Sequence, residues 1–368
     1  MRTLASTEFP LPPAWLQGER KYGLGGVRVG RGAWGWKGFG RFHMRILFIG
    51  GTGNITTECT RLLHERGHEI GVLTRGNRSI PEGYRAFRAD RTDRSGMREA
   101  VRGWNPEVVV NFLGFEVSDL EVDRDVFGDG LQQYVFISSA TVYEKPPRKL
   151  PMTEDGPLGN AWWEYARKKL ACEEWLRAEG CSKGFPVTIV RPSHTYSKLW
   201  VPNPVSSGSF SYARRILEGR PVFVPDDGEN PWTLTASADF AVGLAGLVGN
   251  PAAIGEAFHI TSDEVLTWNR IVAEIALALG VESPKVLRVP TDRICEVAPR
   301  LTGNLKGDKA HPGVFDNAKI KRFVPDFQCR VPFREGVRES VAWLLAHPEQ
   351  QNLSEDVERM CDDVAGAR

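Results

Sequence analysis

The feature that most constrains this chain is a short apolar run that ends in a glycine cluster and leads straight into a segment of helical period. Ile46 to Ile49 form the run, Gly50-Gly51-Thr52-Gly53-Asn54-Ile55-Thr56 follows, and Thr57 to Arg66 reads as a helix. Strand, glycine turn, helix is the order of a phosphate-binding βα unit. The glycines let the backbone turn tightly and approach a pyrophosphate, and free N–H groups at the helix start face its charge. The spacing is Gly50-x-x-Gly53-x-x-Thr56, with threonine where the third glycine of the usual fingerprint stands. An ordinary tight turn is the bland alternative; placement between a buried strand and a helix argues against it. Gly50, Gly51, Thr52, Gly53, Asn54 and Ile55 are therefore the first candidates to hold a cofactor's phosphates.

Glu69 to Thr74 is a second apolar strand, closed by Arg75-Gly76-Asn77-Arg78. In such units the end of this strand meets the adenosine ribose, where an acid favours a free 2′-hydroxyl and an arginine a 2′-phosphate. Thr74 and Arg75 occupy that place without an acid, which points to NADP over NAD. The alternative is an arginine lying along the adenine face. Tyr84 to Arg91 reads as a third strand, and Asp90 at its end, followed by Arg91, either meets the adenine amino group or caps a helix. Pro106 to Gly114 is continuously apolar, the mark of a parallel sheet covered on both faces, and Gly114 lets the backbone pass close to the cofactor. The acidic run Asp119, Glu121, Asp123, Asp125 and Asp129 fails as a calcium loop, because Phe127 sits where an oxygen ligand is needed. It reads as a solvated helix face, and no metal site is expected. Gln133 to Ser139 is another buried strand, with hydroxyls at its carboxyl end, the edge where ligands bind in open α/β sheets.

Two features then converge. Ser138-Ser139-Ala140-Thr141-Val142-Tyr143 ends that strand, and Tyr165-Ala166-Arg167-Lys168-Lys169 lies within a segment of helical period from Trp162 to Arg177. Tyr165 and Lys169 are spaced i and i+4, so they share a helix face. An ammonium beside a phenol favours the phenolate and suits it to proton transfer, while Ser139 holds the substrate oxygen.

With these motifs, and with Arg191-Pro192-Ser193-His194-Thr195-Tyr196, the chain resembles an extended or atypical short-chain dehydrogenase/reductase of the NAD-dependent epimerase/dehydratase family. The resemblance covers roughly Met44 to His347. It implies an α/β fold: a Rossmann-type doubly wound parallel sheet (44–195), then a smaller, discontinuous substrate domain (mainly 196–347) with some segments returning to the sheet. It implies Gly50, Gly51 and Gly53 at the pyrophosphate, and Ser139, Tyr165 and Lys169 in catalysis. Pro192 and Ser193 fall near the nicotinamide amide, and Thr141, His194 and Trp232 face the substrate. Arg215 and Lys309, with Arg214 and Arg322, are the cations available to a diphosphate. The implied activity is modification of a nucleotide-linked sugar through bound NADP or NAD, by a homodimer that pairs the tyrosine-bearing helix. Family members carry an arginine after Asp226-Asp227-Gly228, where this chain has Pro231-Trp232-Thr233-Leu234-Thr235. Ser197 stands where glycine is usual. Two other readings fit the fold: a non-redox sugar isomerase such as a pyranose–furanose mutase, with or without a metal, and a non-catalytic member that binds RNA or senses NADP.

Composition sets the remaining bounds. A net charge of +1 over 368 residues gives no general pull toward nucleic acid or an anionic membrane. Six scattered cysteines without a CxxC pair suit free thiols in a reducing, cytoplasmic setting. Residues 1–43 stand apart: Gly- and Arg-rich, with Trp15, Trp34 and Trp36, and of no regular period, they read as a disordered extension. Residues 348–368 read as a helical tail.

Overall fold

The computed structural model describes residues 43–128, 130–205 and 208–366; the Gly/Arg-rich segment before His43, and Asp129, lie outside the described residues. Seven parallel strands form the central sheet: β1 (Arg45–Ile49), β2 (Glu69–Thr74), β3 (Arg85–Arg88), β4 (Val108–Asn111), β5 (Gln133–Ile137), β6 (Val187–Pro192) and β7 (Ala257–Ile260). Their spatial order is β7-β6-β5-β4-β1-β2-β3. The order reverses beside β1, whose Ile46 pairs with Ile70 on one side and Val108 on the other. That reversal opens a crevice at the carboxyl ends of β1 and β4, where open α/β sheets take ligands.

Alternate residues of each strand serve opposite faces. Ile46, Phe48, Val72, Val108, Val110 and Val135 pack in one cluster with helix α1 (Thr56–Glu65) and the helix Ser237–Leu247. Leu47, Ile49, Leu73, Val109, Tyr134 and Phe136 pack in another. Its cover comes from α2 (Arg94–Ala100), α3 (Val117–Phe127) and α4 (Glu164–Lys183). Burial on both faces is why these strands are continuous apolar runs. Helix α4 starts just before Tyr165 and ends at Gly184, whose φ of 68° supplies the left-handed turn that closes a helix.

The acidic face of α3 is not simply solvated. Asp119 reaches back to the amides of Phe115 and Glu116, capping the helix. Asp123 is fully buried and accepts from Arg91, Asn111 and Tyr134. Only in the fold does Arg91, from a distant part of the chain, arrive to neutralise it.

A third hydrophobic cluster gathers residues from Tyr196 to Val364. The C-terminal helix Glu355–Gly366 contributes Val357, Cys361 and Val364 to it. Short strand pairs frame this region: His194–Tyr196 with Leu234–Ala236, Val222–Pro225 with Val286–Val289, and Pro231–Trp232 with Leu266–Thr267. Among the described residues no helix is long and apolar enough to cross a membrane.

Candidate active site

The glycine turn after β1 has the conformation that its sequence demands. Gly50 has φ of 88°, and a Cβ on Gly51 would lie 2.9 Å from Val72 Cγ2. The start of α1 carries no side-chain cap, which leaves its first turn open to an anion apart from the Thr57 amide, bonded to Gly53 O at 3.3 Å. These features fit a dinucleotide's pyrophosphate. Thr56 takes the third glycine's place in an active way: its hydroxyl accepts the Gly53 N–H at 2.6 Å, tying the turn to the helix. Thr52 O accepts from Arg78 at 2.7 Å. Asn54 bridges the turn to the region beyond β6, donating to Thr195 O at 3.0 Å and accepting from Ser197 at 2.5 Å. Ser197, where glycine is usual, thus has a partner in the turn.

At the end of β2, Thr74 accepts the Gly76 N–H at 3.2 Å and Arg75 is exposed. Asp90 does not cap α2; it accepts the amide and hydroxyl of Thr92 at 2.9 and 2.6 Å, while Asp93 makes the cap. Arg91 is committed to α3, donating to Asp119 O at 2.8 Å and to Asp123 at 3.1 Å, so its guanidinium is taken up by the fold rather than offered to a cofactor. Gly114 is buried against Leu120 and Phe136, where a Cβ would lie 2.9 Å from either side chain. Its carbonyl serves Lys169 instead of approaching a ligand.

A cavity of about 560 Å³ opens beside this turn. Ile55, Ser139, Thr141, Tyr165, Lys169, Pro192, Ser193, His194, Trp232 and Lys309 all line it. The sequence pattern also missed several lining residues: Phe115, Trp163, Trp200, Asp308 and Phe315. Trp163 lies two residues before Tyr165 and Asp308 one before Lys309, but nothing local marks either as lining the cavity.

Ser139 lies two residues beyond β5 and caps the short turn Ala140–Val142, its hydroxyl accepting from the Thr141 amide at 3.2 Å and the Thr141 hydroxyl at 3.0 Å. The Lys169 ammonium donates to Gly114 O at 2.7 Å and Ile137 O at 2.8 Å, fixing α4 against the ends of β4 and β5. Burial pushes Lys169 down to about 8. Burial also raises the Tyr165 phenol, with a hydrogen bond to Ser139 opposing and the charge of Asp308 adding to the rise. The expectation of a phenol lowered by Lys169 is therefore corrected. The ammonium sits 6.0 Å from the tyrosine ring centroid and bonds to carbonyls, so desolvation outweighs it.

The far wall is built by a π-turn, Leu305–Lys309. Asn160 staples it to the Ser139 loop, donating to Thr141 O at 2.8 Å and Gly307 O at 2.6 Å. Arg215 lies elsewhere. Its side chain is buried against the C-terminal helix, paired with Glu358 at 2.9 Å and Asp362 at 2.7 Å, so it is a structural clamp and not a cavity cation. Arg214 pairs with Glu218, and Arg322 is exposed over Phe323.

A Rossmann-type sheet with an uncapped glycine turn and a Ser/Tyr/Lys-lined cavity at its switch point is the arrangement that the extended short-chain dehydrogenase/reductases have, and it makes this chain similar to them. The model of the NAD dependent epimerase/dehydratase family matches residues 120–261 of this chain. The 2'-dehydrokanamycin reductase of Streptomyces kanamyceticus is 29% identical over 311 residues, 82% of this chain and 85% of that protein. The chloroplast stem-loop binding protein of 41 kDa b of Arabidopsis thaliana is 28% identical over 66% of this chain and 65% of its own length. The UDP-glucose 4-epimerase of Thermus thermophilus, solved with NAD, has the same fold: TM-score 0.66 at 23% identity, covering 83% of this chain and 100% of that one.

Proposed function

We propose that this chain is a nicotinamide-dependent enzyme that interconverts a secondary hydroxyl and a carbonyl on a sugar-type ring. The observation that carries the reading is the meeting of Ser139, Tyr165 and Lys169 with Pro192 and Ser193 in one cavity beside the glycine turn. In this reading Gly50 to Ile55 hold the pyrophosphate, and Arg75 meets a 2′-phosphate. NAD(P), when bound, supplies the hydride acceptor or donor. Ser139 donates a hydrogen bond to the substrate oxygen and holds it against Tyr165. The Tyr165 phenolate takes the hydroxyl proton in oxidation, and the phenol returns it to the carbonyl oxygen in reduction. Lys169 places a positive charge below the phenol while locking α4 to the sheet. The names of a reductase and an epimerase among the relatives support hydroxyl–carbonyl chemistry, and a nucleotide-linked sugar is the substrate class that the family resemblance suggests.

The test is calorimetric titration of the purified chain with NAD and with NADP, after chromatography of any nucleotide released on denaturation. Binding of neither one contradicts the reading. NADP is expected to bind more tightly, and Arg75→Ala is expected to weaken NADP by about tenfold, the size of one charge-assisted contact, with NAD unchanged. A wild-type protein that prefers NAD would remove Arg75 from this role. A homodimer pairing α4 with its copy is part of the proposal; a monomer in sedimentation at micromolar concentration contradicts it.

A further inference from the structure

The cavity carries more hydrogen-bond donors than chemistry at Tyr165 uses. Lys309 is 4% exposed, and its ammonium donates to the side-chain oxygen of Asn304. That amide is held by its own nitrogen, which donates to Pro204 O at 3.2 Å and Val205 O at 3.4 Å. Among the described residues no carboxylate forms an ion pair with Lys309; neighbouring Asp308 faces Lys145 at 3.6 Å instead. Close by, both ring nitrogens of His194 and the indole nitrogens of Trp200 and Trp232 are buried without a partner, and all of these side chains line the cavity. They form one contiguous group. The His194 ring meets Trp200 edge-on at 6.2 Å and Trp268 at a tilt at 6.4 Å; Trp268 lies 5.2 Å from Trp232 and donates to Lys309 O at 2.9 Å.

Buried polar groups in folded proteins are almost always paired, and a buried ammonium held by one neutral amide is costly. The hydrogen-bonding capacity here is mostly that of donors: an ammonium with one partner and two unpartnered indole N–H groups accept nothing, and a neutral imidazole adds one donor and one acceptor. Their complement is a group with negative charge and several lone pairs. Its charge follows from the balance at this wall. Burial and the charge of Lys309 hold His194 well below its ordinary value, and burial lowers Lys309 too, with Asp308 opposing, so Lys309 is the cation here that a bound anion would hold in its charged form. One positive charge matches a monoanion. A diphosphate calls for bidentate or multiple cations, and Arg214 and Arg215 are spent on Glu218, Glu358 and Asp362.

We propose that Lys309, Trp200, Trp232 and His194 form a carboxylate pocket, so that the substrate is a ring acid whose carboxylate sits on Lys309 while its reacting carbon faces Tyr165. This deepens the function proposed above and rests on it.

The experiment follows tryptophan fluorescence of the full chain, with and without saturating NADP, at constant ionic strength. The probes are two matched pairs, glucuronate with glucose and benzoate with benzyl alcohol, together with UDP. The wild type is expected to favour the acid of at least one pair by about tenfold. Lys309→Met is expected to bring that ratio to within about twofold, while Lys309→Arg retains it. Trp232→Phe, which keeps the ring packing, is expected to weaken only the acid, by about threefold. No acid preference in the wild type, or a preference that survives Lys309→Met, overturns the pocket. So does a loss confined to UDP, which would make the anion a diphosphate. Failure to bind NAD or NADP strikes the enzyme reading alone, because the nucleotide-free titrations still report on the pocket.

Discussion

A Tyr165→Phe variant is expected to lose turnover by about 10³-fold while binding nicotinamide nucleotide as the wild type does. The substitution removes one oxygen and leaves a ring that keeps its place beside Trp163, 5.1 Å away, and Phe115, 6.4 Å away. The fold and the glycine turn therefore have no reason to change, and the loss reports proton transfer. The pH dependence carries a sign. Burial raises the phenol, so at neutral pH it holds its proton in the free protein. Oxidation needs the phenolate, and its rate should climb with pH across the neutral range. Reduction needs the phenol, and its rate should stay level there and fall only when the phenol titrates. Lys169, at about 8, loses its charge over the upper part of the same range, which removes a counter-charge to the phenolate and blunts the climb. Initial rates in both directions, measured from mildly acidic to mildly alkaline pH, test this. Near-normal turnover by Tyr165→Phe, or an oxidation rate that falls as pH rises through neutrality, would sink the role given to Tyr165.

The parts of the molecule that were legible in the sequence are those whose cause is local. β1, β4 and β5 are short apolar runs because both faces of the sheet are covered, and a run needs no distant residue to be recognised. Tyr165 and Lys169 share a face because α4 is a helix. What was hidden depends on partners far away in the chain. Arg215 was a candidate for a diphosphate until the C-terminal helix, 143 residues on, brought Glu358 to it. Arg91 and Asp123 each look exposed in sequence, and their burial is explained by the ion pair that the fold makes between them. The direction of the Tyr165 shift was misread because spacing gives a shared face but not a distance, and Lys169 spends its hydrogens on two carbonyls. The cavity's far wall was invisible because a π-turn has no clear pattern of its own; here it is held in place by Asn160 bonding Gly307 O.

Glu173→Ala is expected to destabilise the chain by about 3–5 kcal/mol, the cost of leaving a buried charge without its partner. Arg191 on β6 and Glu173 on α4 are both fully buried. The guanidinium meets the carboxylate through Nε at 3.0 Å and Nη2 at 2.6 Å. Its Nη1 donates to the Tyr143 hydroxyl at 2.7 Å and to Glu154 O at 3.0 Å. Tyr143 in turn bonds His259 Nε2 at 2.5 Å, and burial with the nearby Arg191 charge pushes that imidazole down to about 3, so it is neutral and cannot take over as a counter-charge. The other carboxylate of the network, Glu154, is engaged by the His259 amide at 3.0 Å rather than by Arg191. The network also ties β6, β7 and the loop after Ser139 to α4 one turn beyond Lys169, so its loss loosens the helix that carries Tyr165. A double change, Glu173→Leu with Arg191→Met, removes both charges and should cost much less than Glu173→Ala alone, because an apolar pair of similar volume needs no desolvation. Urea denaturation of the three proteins separates the cases. A single variant within about 1 kcal/mol of the wild type would mean that water reaches Arg191 and that the pair is not the buried lock on α4 described here.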